Sequence, residues 1–288
     1  MTAADLLSML SVIDSGARTR EDILTGPPLP TWHGRSFGGQ VLGQALAAAG
    51  TTNPEDRSIH SMHGYFLRPG NSAERMTFEV DRLYDGRSFS TRRVQAYQEG
   101  QVLMSLISSF QAPDGGVEHQ DSIDMSELPD PETLPTVWEK YGHLASNGQA
   151  SWVLNRPFDF RYIESDIILE VAERTNKQRV WMRSRDTLDA TALIHAAALA
   201  FASDYLLLEP IARQHGTPWA TPGMRFASLD HAMWFHRPFR VDEWLLYELE
   251  SPTSQSGRGL THGKFYNRDG VLVASVSQEG MVRFPTAE

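Results

Sequence analysis

The chain contains 288 residues, enough for one large domain or two of ordinary size, and its 41% apolar and 22% charged residues are typical of a soluble globular protein. Its formal net charge of -10 argues against partners such as nucleic acid or an anionic membrane surface. The absence of cysteine excludes disulfides, thiolate metal sites and a cysteine nucleophile.

The sequence also lacks the signals of secretion, membrane insertion and peroxisomal import. It has no apolar run of about 18 residues and no apolar core of a secretory leader, and it ends Pro-Thr-Ala-Glu rather than Ser-Lys-Leu. The lack of cysteine fits a reducing compartment. Together these features predict a cytoplasmic enzyme or binding protein without membrane insertion.

Two helices are predicted near the N-terminus. The first is short and amphipathic, because four large apolar residues recur at helical spacing: Leu6, Leu7, Leu10 and Ile13. After a proline-rich loop at 26–30, the second helix covers 37–49, with Ser36 as its N-cap and Gly50 as its C-terminal stop. Its glycines cost about 1 kcal/mol each, which is understandable if another element packs against them at backbone distance.

Four β-rich runs follow the second helix, separated by hairpin signals such as Asp85-Gly86 and Glu99-Gly100. They cover residues 59–68, 76–84, 88–98 and 102–110. A helix followed by an antiparallel meander is typical of an α+β unit. Residues 112–135 are acidic and contain four prolines, so they indicate a linker that crosses the surface.

A buried helix is predicted at 190–205, because alanine and leucine dominate this stretch and apolar residues cover nearly all of its sides. Its small side chains suit close wrapping by a sheet, and Asp204 is the acid at its far end. Strands are predicted on both sides of this helix, at 152–163, 179–183, 227–235, 243–250, 259–267 and 271–277.

The two halves of the chain resemble each other. Tyr65-Phe-Leu-Arg-Pro69 is similar to Trp234-Phe-His-Arg-Pro238, and Val102-Leu-Met-Ser is similar to Val271-Leu-Val-Ala, each 169 residues further on. An internal repeat at constant spacing across several motifs predicts two copies of one unit, in which a sheet wraps around a helix.

The second copy carries polar residues that the first lacks. Asp204 ends the second helix, whereas the first ends in Ala-Ala-Ala-Gly, and the constant offset places Ser228 opposite Ile59 and Gln278 opposite Ser109. Taken singly, Asp204 could be a hydrogen-bonding residue at a helix end, and the other two could be ordinary strand residues. Because unpaired polar burial costs about 1–3 kcal/mol per group, the set indicates a site if the three converge.

Several long motifs are those of a known family. They are Arg35-x-Phe-Gly-Gly-Gln40, Tyr65-Phe-Leu-Arg-Pro-Gly70, Asp85-Gly-Arg-Ser-Phe-Ser-x-Arg-Arg93, Asp230-His-Ala-Met-Trp-Phe-His-Arg-Pro238, and Asp269-Gly-Val-Leu-Val-Ala-Ser275 with Gln278-Glu-Gly280. Through them the chain resembles the acyl-CoA thioesterase II family from about residue 5 to 283. The resemblance implies an α+β double hotdog fold, with an N-terminal hotdog at 1–111, a linker at 112–150 and a C-terminal hotdog at 151–288 that carries the catalytic residues.

The same resemblance implies a site and an activity. The family's catalytic aspartate and glutamine fall on Asp204 and Gln278, and its hydroxyl residue, often threonine, falls on Ser228. The implied reaction is hydrolysis of medium- to long-chain acyl-CoA to free fatty acid and CoA by a water molecule that these residues orient, with Asp204 as general base. Backbone N–H groups at a helix N-terminus, such as those of Gly38 and Gly39, would bind the oxyanion. No metal or cofactor is implied, and association into homo-oligomers, as dimers or tetramers, is expected.

Other motifs point to sites that the surrounding sequence does not support. Residues 34–38 match the G-x-S-x-G nucleophile elbow, but the proline-rich residues before them cannot form the buried strand that an elbow requires. Residues 257–259 lack the third glycine and the strand–helix context of a dinucleotide fingerprint. Four strand histidines have no metal-ligand spacing and are interpreted as hydrogen-bonded or interface residues: His60, His63, His231 and His236.

Two other functions remain as alternatives. An enoyl-CoA hydratase of the same fold needs an Asp/His pair in its site, and Asp230 and His231 fit this poorly because neighbouring residues of a strand point to opposite faces. A non-catalytic acyl-CoA-binding or regulatory protein would not need a base such as Asp204.

Overall fold

The computed structural model of the chain describes residues 1–16, 22–147 and 151–284. The helices are α1 (Ala3–Leu10), α2 (Gly38–Thr51), α3 (Val137–Tyr141), α4 (Ser151–Leu154), α5 (Ala192–Ser203) and α6 (Glu209–Gln214). The strands of the first half are β1 (Ile13–Asp14), β2 (Asp22–Gly26), β3 (Ser58–Phe66), β4 (Met76–Asp85), β5 (Phe89–Gln98) and β6 (Gln101–Gln111). Those of the second are β7 (Phe158–Tyr162), β8 (Lys177–Ser184), β9 (Arg225–Ser228), β10 (Asp230–Phe235), β11 (Leu245–Gln255), β12 (Arg258–Asn267) and β13 (Leu272–Arg283).

One antiparallel sheet runs through both halves of the chain. Its strand order is β1-β2-β4-β5-β6-β3-β10-β13-β12-β11-β8-β7, and β9 pairs with β13 beside β10. The halves are joined where β3 pairs with β10, with His63 opposite Ala232. The strands alternate buried and exposed residues, as in β5 and β13, because one face of the sheet covers the core and the other faces outward. The repeat predicted from the sequence therefore forms the two halves of one continuous sheet.

The core contains the two small-residue helices, α2 and α5, which pack against each other. Nearly every residue of α2 is buried, and so is every residue of α5 from His195 to Ser203. A Cβ built at Gly43 would lie 2.9 Å from the carbonyl oxygen of Ala197, and one at Gly39 would overlap that of Phe201. The glycines of α2 are thus explained by backbone-distance packing, as the sequence analysis expected, since a methyl group would push the two helices apart.

The predicted ends of α2 are wrong in detail. The helix begins at Gly38 with Phe37 as its N-cap residue, and within the described residues Phe37 makes no side-chain capping hydrogen bond. Ser36 does not cap the helix, since it lies one residue before the N-cap position; its backbone N–H bonds to the Gly70 carbonyl at 2.9 Å. Gly50 does not stop it, because the helix continues to Thr51 and Thr52 is the C-cap. The N-terminus of α2 is capped from another part of the chain, described below.

Several predicted boundaries differ from the structure, among them the following three. The strand predicted at 152–163 begins only at Phe158, after the short helix α4, because Pro157 interrupts the segment. The strand predicted at 227–235 is divided at Leu229 into β9 and β10. Ile13 lies outside α1, which ends at Leu10, and is 58% exposed in β1.

The segment between the halves covers part of the outer face of the second sheet half. Apolar side chains of this segment, including Ile123 and Met125, pack against a buried cluster that contains Trp181 and Trp244. Short helical turns lie within it at Met125–Glu127, Pro131–Thr133 and Gly142–Asn147. Its designation as a linker at 112–150, between hotdogs at 1–111 and 151–288, stays a prediction.

Candidate active site

Asp204 lies where the two core helices meet. It is the C-cap residue of α5, and its carboxylate Oδ2 accepts a hydrogen bond from the backbone N–H of Gly39 at 2.9 Å. Gly39 is in the first turn of α2, where backbone N–H groups have no intrahelical acceptor and the helix dipole favours negative charge. The carboxylate therefore caps α2 from the opposite half of the chain, in place of the predicted Ser36.

Ser228 and Gln278 complete a hydrogen-bonded set around this carboxylate. The Ser228 hydroxyl donates to Asp204 Oδ1 at 3.0 Å, and Gln278 Nε2 donates to Ser228 Oγ at 2.9 Å. Pairing of β9 with β13 brings the two strands together, with Ser228 opposite Gly280. Gln278 is buried, whereas Asp204 and Ser228 are partly exposed. The structure thus brings together the three residues that the sequence singled out.

The arrangement has the parts needed to orient a water molecule. A partly exposed carboxylate can accept a proton, and an amide whose second N–H is not used by Ser228 can donate a hydrogen bond beside it. Asp204 ends α5 and Ser228 ends β9, whereas Gln278 lies in the middle of β13. They are held in position by hydrogen bonds to one another, so the geometry is preorganised.

The two glycines predicted to bind substrate differ in whether another residue already accepts a hydrogen bond from their backbone N–H group. The N–H of Gly39 is taken by Asp204, as described above. The N–H of Gly38 is the first of α2, so it has no acceptor within the helix. A Cβ at Gly38 would lie 2.8 Å from Asp204 Oδ2 and 3.2 Å from Cζ of Phe66, so the backbone approaches the carboxylate more closely than a larger residue would allow.

Two family models match the chain. The model described as "Acyl-CoA thioesterase" matches residues 162–281, and the model described as "Acyl-CoA thioesterase N-terminal domain" matches residues 27–111. Among curated proteins, acyl-coenzyme A thioesterase 8 of Mus musculus is 36% identical over 264 residues, covering 86% of this chain and 80% of the mouse protein.

Solved structures agree with this match. The crystal structure of the acyl-CoA thioesterase II TesB2 from Mycobacterium marinum is 37% identical, with a TM-score of 0.78 over 99% of both chains. The chain belongs to the acyl-CoA thioesterase II family. A conserved protein of unknown function with a hot dog fold from Alicyclobacillus acidocaldarius, only 17% identical, has a TM-score of 0.75 over 98% of this chain and 99% of that one. The predicted double hotdog fold and family are therefore confirmed, and this thioesterase is a thioester hydrolase.

A fourth residue joins this hydrogen-bonded set, although the sequence alone indicates only a hydrogen-bonded or interface histidine at its position. His231, on β10, is fully buried, and its Nδ1 lies 2.6 Å from Gln278 Oε1. Burial lowers the pKa of His231, and the nearby Asp204 carboxylate and the hydrogen bond with Gln278 oppose this shift only in part. The sequence does indicate that His231 faces the core, because the alternation of side chains along β10 directs Asp230 outward and His231 inward.

The other three strand histidines considered from the sequence are hydrogen-bonded or packed against neighbours, in agreement with their interpretation. His60 bonds Ser109 at 2.8 Å, and His236 bonds Ser275 at 2.9 Å. The ring of His63 lies edge-on to a tryptophan across the junction of the two halves. In the part of the chain that the structure describes, no group of three or more His, Asp or Glu residues could hold a metal ion.

Aromatic side chains form an apolar wall beside the carboxylate. The Phe37 ring stacks on Tyr205 with centroids 4.5 Å apart and meets Phe201 edge-on at 5.2 Å. Burial raises the pKa of Tyr205, so its phenol stays neutral next to Asp204. The Arg156 guanidinium lies over the Tyr205 ring, 4.5 Å from its centroid, so the site of this thioesterase combines a carboxylate, amide and hydroxyl donors and aromatic side chains with a cation behind them. Across residues 1–16, 22–147 and 151–284, no helix is long and apolar enough to cross a bilayer.

Proposed function

We propose that this thioesterase hydrolyses medium- to long-chain acyl-CoA to free fatty acid and CoA, using a water molecule that Asp204, Ser228 and Gln278 hold. The observation that carries the proposal is the position of the Asp204 carboxylate. It lies at the N-terminus of α2, within hydrogen-bond reach of both Gly39 and Ser228. A base, its orienting donors and a helix N-terminus that favours negative charge are thus adjacent.

In the proposed reaction, Asp204 accepts a proton from the water as the water oxygen bonds to the thioester carbonyl carbon. Ser228 keeps the carboxylate oriented, and Gln278 donates its second N–H to the water. The carbonyl oxygen becomes an oxyanion, which the first N–H of α2, on Gly38, stabilises together with the helix dipole. The C–S bond then breaks, the CoA sulfur leaves as a thiolate, and the proton held by Asp204 returns to that sulfur.

The preference for longer acyl chains rests on the apolar wall next to the carboxylate, in which Phe37 and Tyr205 are partly exposed and Phe201 is buried behind them. A chain laid against these rings gains about 0.8 kcal/mol for each CH₂ group that it buries. This gain raises kcat/KM as the acyl chain lengthens, until the wall is fully covered.

Release of free CoA thiol from acyl-CoAs of increasing chain length tests this function. We expect saturable hydrolysis with kcat/KM rising from short to medium and long chains. Binding of acyl-CoA without thiol release would instead identify a non-catalytic acyl-CoA-binding protein. Hydration of an enoyl-CoA with its thioester intact would identify a hydratase.

We also propose that the protein acts in the cytoplasm as a homo-oligomer, either a dimer or a tetramer. Exposed apolar side chains on the outer face of the sheet support association, since Tyr65 is 63% and Ile107 47% exposed on the neighbouring strands β3 and β6. Measurement of the molar mass in solution over a range of concentrations tests this part. A monomer at all concentrations would contradict it.

A further inference from the structure

The hydrogen bonds around Gln278 determine which way its amide points. A carboxylate has only acceptors, so the hydrogen bond between Ser228 and Asp204 uses the hydroxyl proton of Ser228. Ser228 Oγ can then only accept from Gln278, which requires Nε2 on that side, as observed at 2.9 Å. Gln278 Oε1 consequently faces His231 Nδ1 at 2.6 Å, and this nitrogen must carry a proton in order to donate.

We propose that His231 is a positioning residue of this thioesterase, whose Nδ1–H fixes the Gln278 amide in the orientation that presents N–H groups to Ser228 and to the attacking water. The proposal rests on the function proposed above, because it assigns His231 a role in the same site. All donors then run in one direction, from His231 through Gln278 and Ser228 to Asp204. The carboxylate is the final acceptor of this chain.

The reverse orientation of the amide would disrupt the site. With Gln278 turned over, Oε1 would face Ser228 Oγ, and the hydroxyl could satisfy either Gln278 or Asp204 but not both. The water would also lose its amide donor. The two orientations of an amide have nearly the same shape, so packing alone does not choose between them, whereas a buried N–H donor does. Leaving a buried amide oxygen unpaired is unfavourable, because the oxygen loses its hydrogen bonds to water without gaining a donor in the protein.

The His231 ring is held from its other side by α5, the helix that carries Asp204. Its Nε2 lies 3.2 Å from Ser203 Oγ, whose single hydroxyl proton goes either to Nε2 of the neutral ring or to the Ala200 carbonyl 2.8 Å away. The Tyr247 hydroxyl donates to the Ser203 carbonyl at 3.1 Å. Both sides of the ring are therefore anchored, and the Nδ1–H direction is fixed relative to α5 and β13.

The role of His231 does not depend on its charge. Burial favours the neutral ring, while Asp204, Gln278 and Asp230 favour the protonated one to a smaller extent. Nδ1 carries a proton in both forms once Gln278 Oε1 requires a donor. His231 therefore orients Gln278 across the working pH range and transfers no proton itself.

Two variants test this assignment. In His231→Asn, the short side-chain amide places an N–H near the position of Nδ1, whereas His231→Leu keeps a similar volume without a donor. We expect kcat to fall by about 10- to 100-fold in His231→Leu and by only a few-fold in His231→Asn, with KM for acyl-CoA unchanged in both, because one misplaced donor acts on the transition state. Equal losses in the two variants, or a loss that appears in KM, would overturn the proposal.

A double-mutant cycle with Gln278 separates positioning from general loosening of the fold. If His231 acts through Gln278, His231→Leu has no further effect on kcat in a Gln278→Ala background. A further tenfold loss there would overturn the proposal. So would loss of a limb of the pH–rate profile in His231→Asn, since that result would make His231 a proton-transfer group.

Nitrogen NMR of the unmodified enzyme with labelled histidine gives a readout that needs no variant. We expect the His231 ring to carry its proton on Nδ1, and a ring protonated on Nε2 alone would contradict the proposal. These results are distinguishable from failure of the proposed function. That failure would appear as absence of thiol release in the wild-type protein, or as an Asp204→Asn variant that keeps its activity.

Discussion

The Asp204 carboxylate caps the N-terminus of α2 through the N–H of Gly39, although the two residues are 165 positions apart in the chain. One hydrogen bond thereby links the end of the helix in the second half to the start of the helix in the first. The candidate active site exists only when both halves are folded together, because each supplies one side of this contact.

Close packing of α2 on α5 predicts the effect of a methyl group at Gly43. A Cβ there would lie 2.8 Å from Leu10 Cδ2, the end of a flexible side chain, and 2.9 Å from the Ala197 carbonyl oxygen, a backbone atom that moves only if α5 shifts. We expect Gly43→Ala to lower the free energy of unfolding by about 1–3 kcal/mol, measured by urea denaturation. Gly115→Ala is the matched control, since a Cβ there meets nothing within 4 Å. Equal stability of the two variants would contradict this packing.

The hydroxyl of Ser228 predicts a contrast between two substitutions. Ser228→Ala removes the donor to Asp204 and the acceptor for Gln278, and we expect kcat for thiol release to fall by about 10- to 100-fold. Ser228→Thr keeps the hydroxyl and adds a methyl group that restricts its rotation, so kcat should stay within a few-fold of wild type. An alanine variant as active as the threonine variant would show that this hydroxyl does not hold the site.

The hydrogen bonds of Asp166 imply that the free energy of unfolding depends on pH. Its burial raises the pKa, but hydrogen bonds from Lys140 at 2.8 Å, from Tyr141 at 2.6 Å and from the Ile168 N–H at 3.1 Å outweigh this and hold the pKa below its usual 3.8. The unfolded chain therefore binds the proton more readily. The contribution of Asp166 is present above its usual pKa and is lost as the pH falls through its lower folded value.

A substitution at this carboxyl isolates the effect. We expect Asp166→Asn to lower the free energy of unfolding by about 1–3 kcal/mol near neutral pH, with the difference from wild type shrinking in acid. Denaturation curves at a series of pH values measure it. Asp121→Asn is a control, because Asp121 makes an exposed ion pair with Lys264 of the kind that contributes little. A difference between Asp166→Asn and wild type that is constant with pH would contradict the assigned pKa direction.

Much of the fold was predictable because its signals are local or repeated. The small-residue pattern of 190–205 predicts α5, and the constant offset between the halves predicts two similar units. Asp204 was accessible for the same reason, since a single acid at the end of an apolar helix is visible in one segment.

What could not be predicted depends on contacts between distant segments. Ser36 is a suitable N-cap by its residue type, but Asp204 takes that role because tertiary packing brings α5 onto α2. The break at Leu229 has a similar origin. Its N–H pairs with the Glu279 carbonyl and its own carbonyl accepts from the Phe66 N–H, and neither partner is near it in sequence. The contact of His231 with Gln278 could not be predicted, because it joins β10 and β13. These strands are neighbours in the sheet but are separated along the chain by β11 and β12.

The proposed role of Asp204 in activating the water is tested by an Asp204→Asn variant. Asparagine has the same shape and its amide oxygen can still accept the Gly39 N–H, so the helix cap survives while the base is lost. Asp81→Asn, at a partly exposed ion pair in the first half, is the matched control. We predict that thiol release from a medium- or long-chain acyl-CoA falls by about 100-fold or more in Asp204→Asn, with the control unchanged. Activity of Asp204→Asn within a few-fold of wild type would contradict this role.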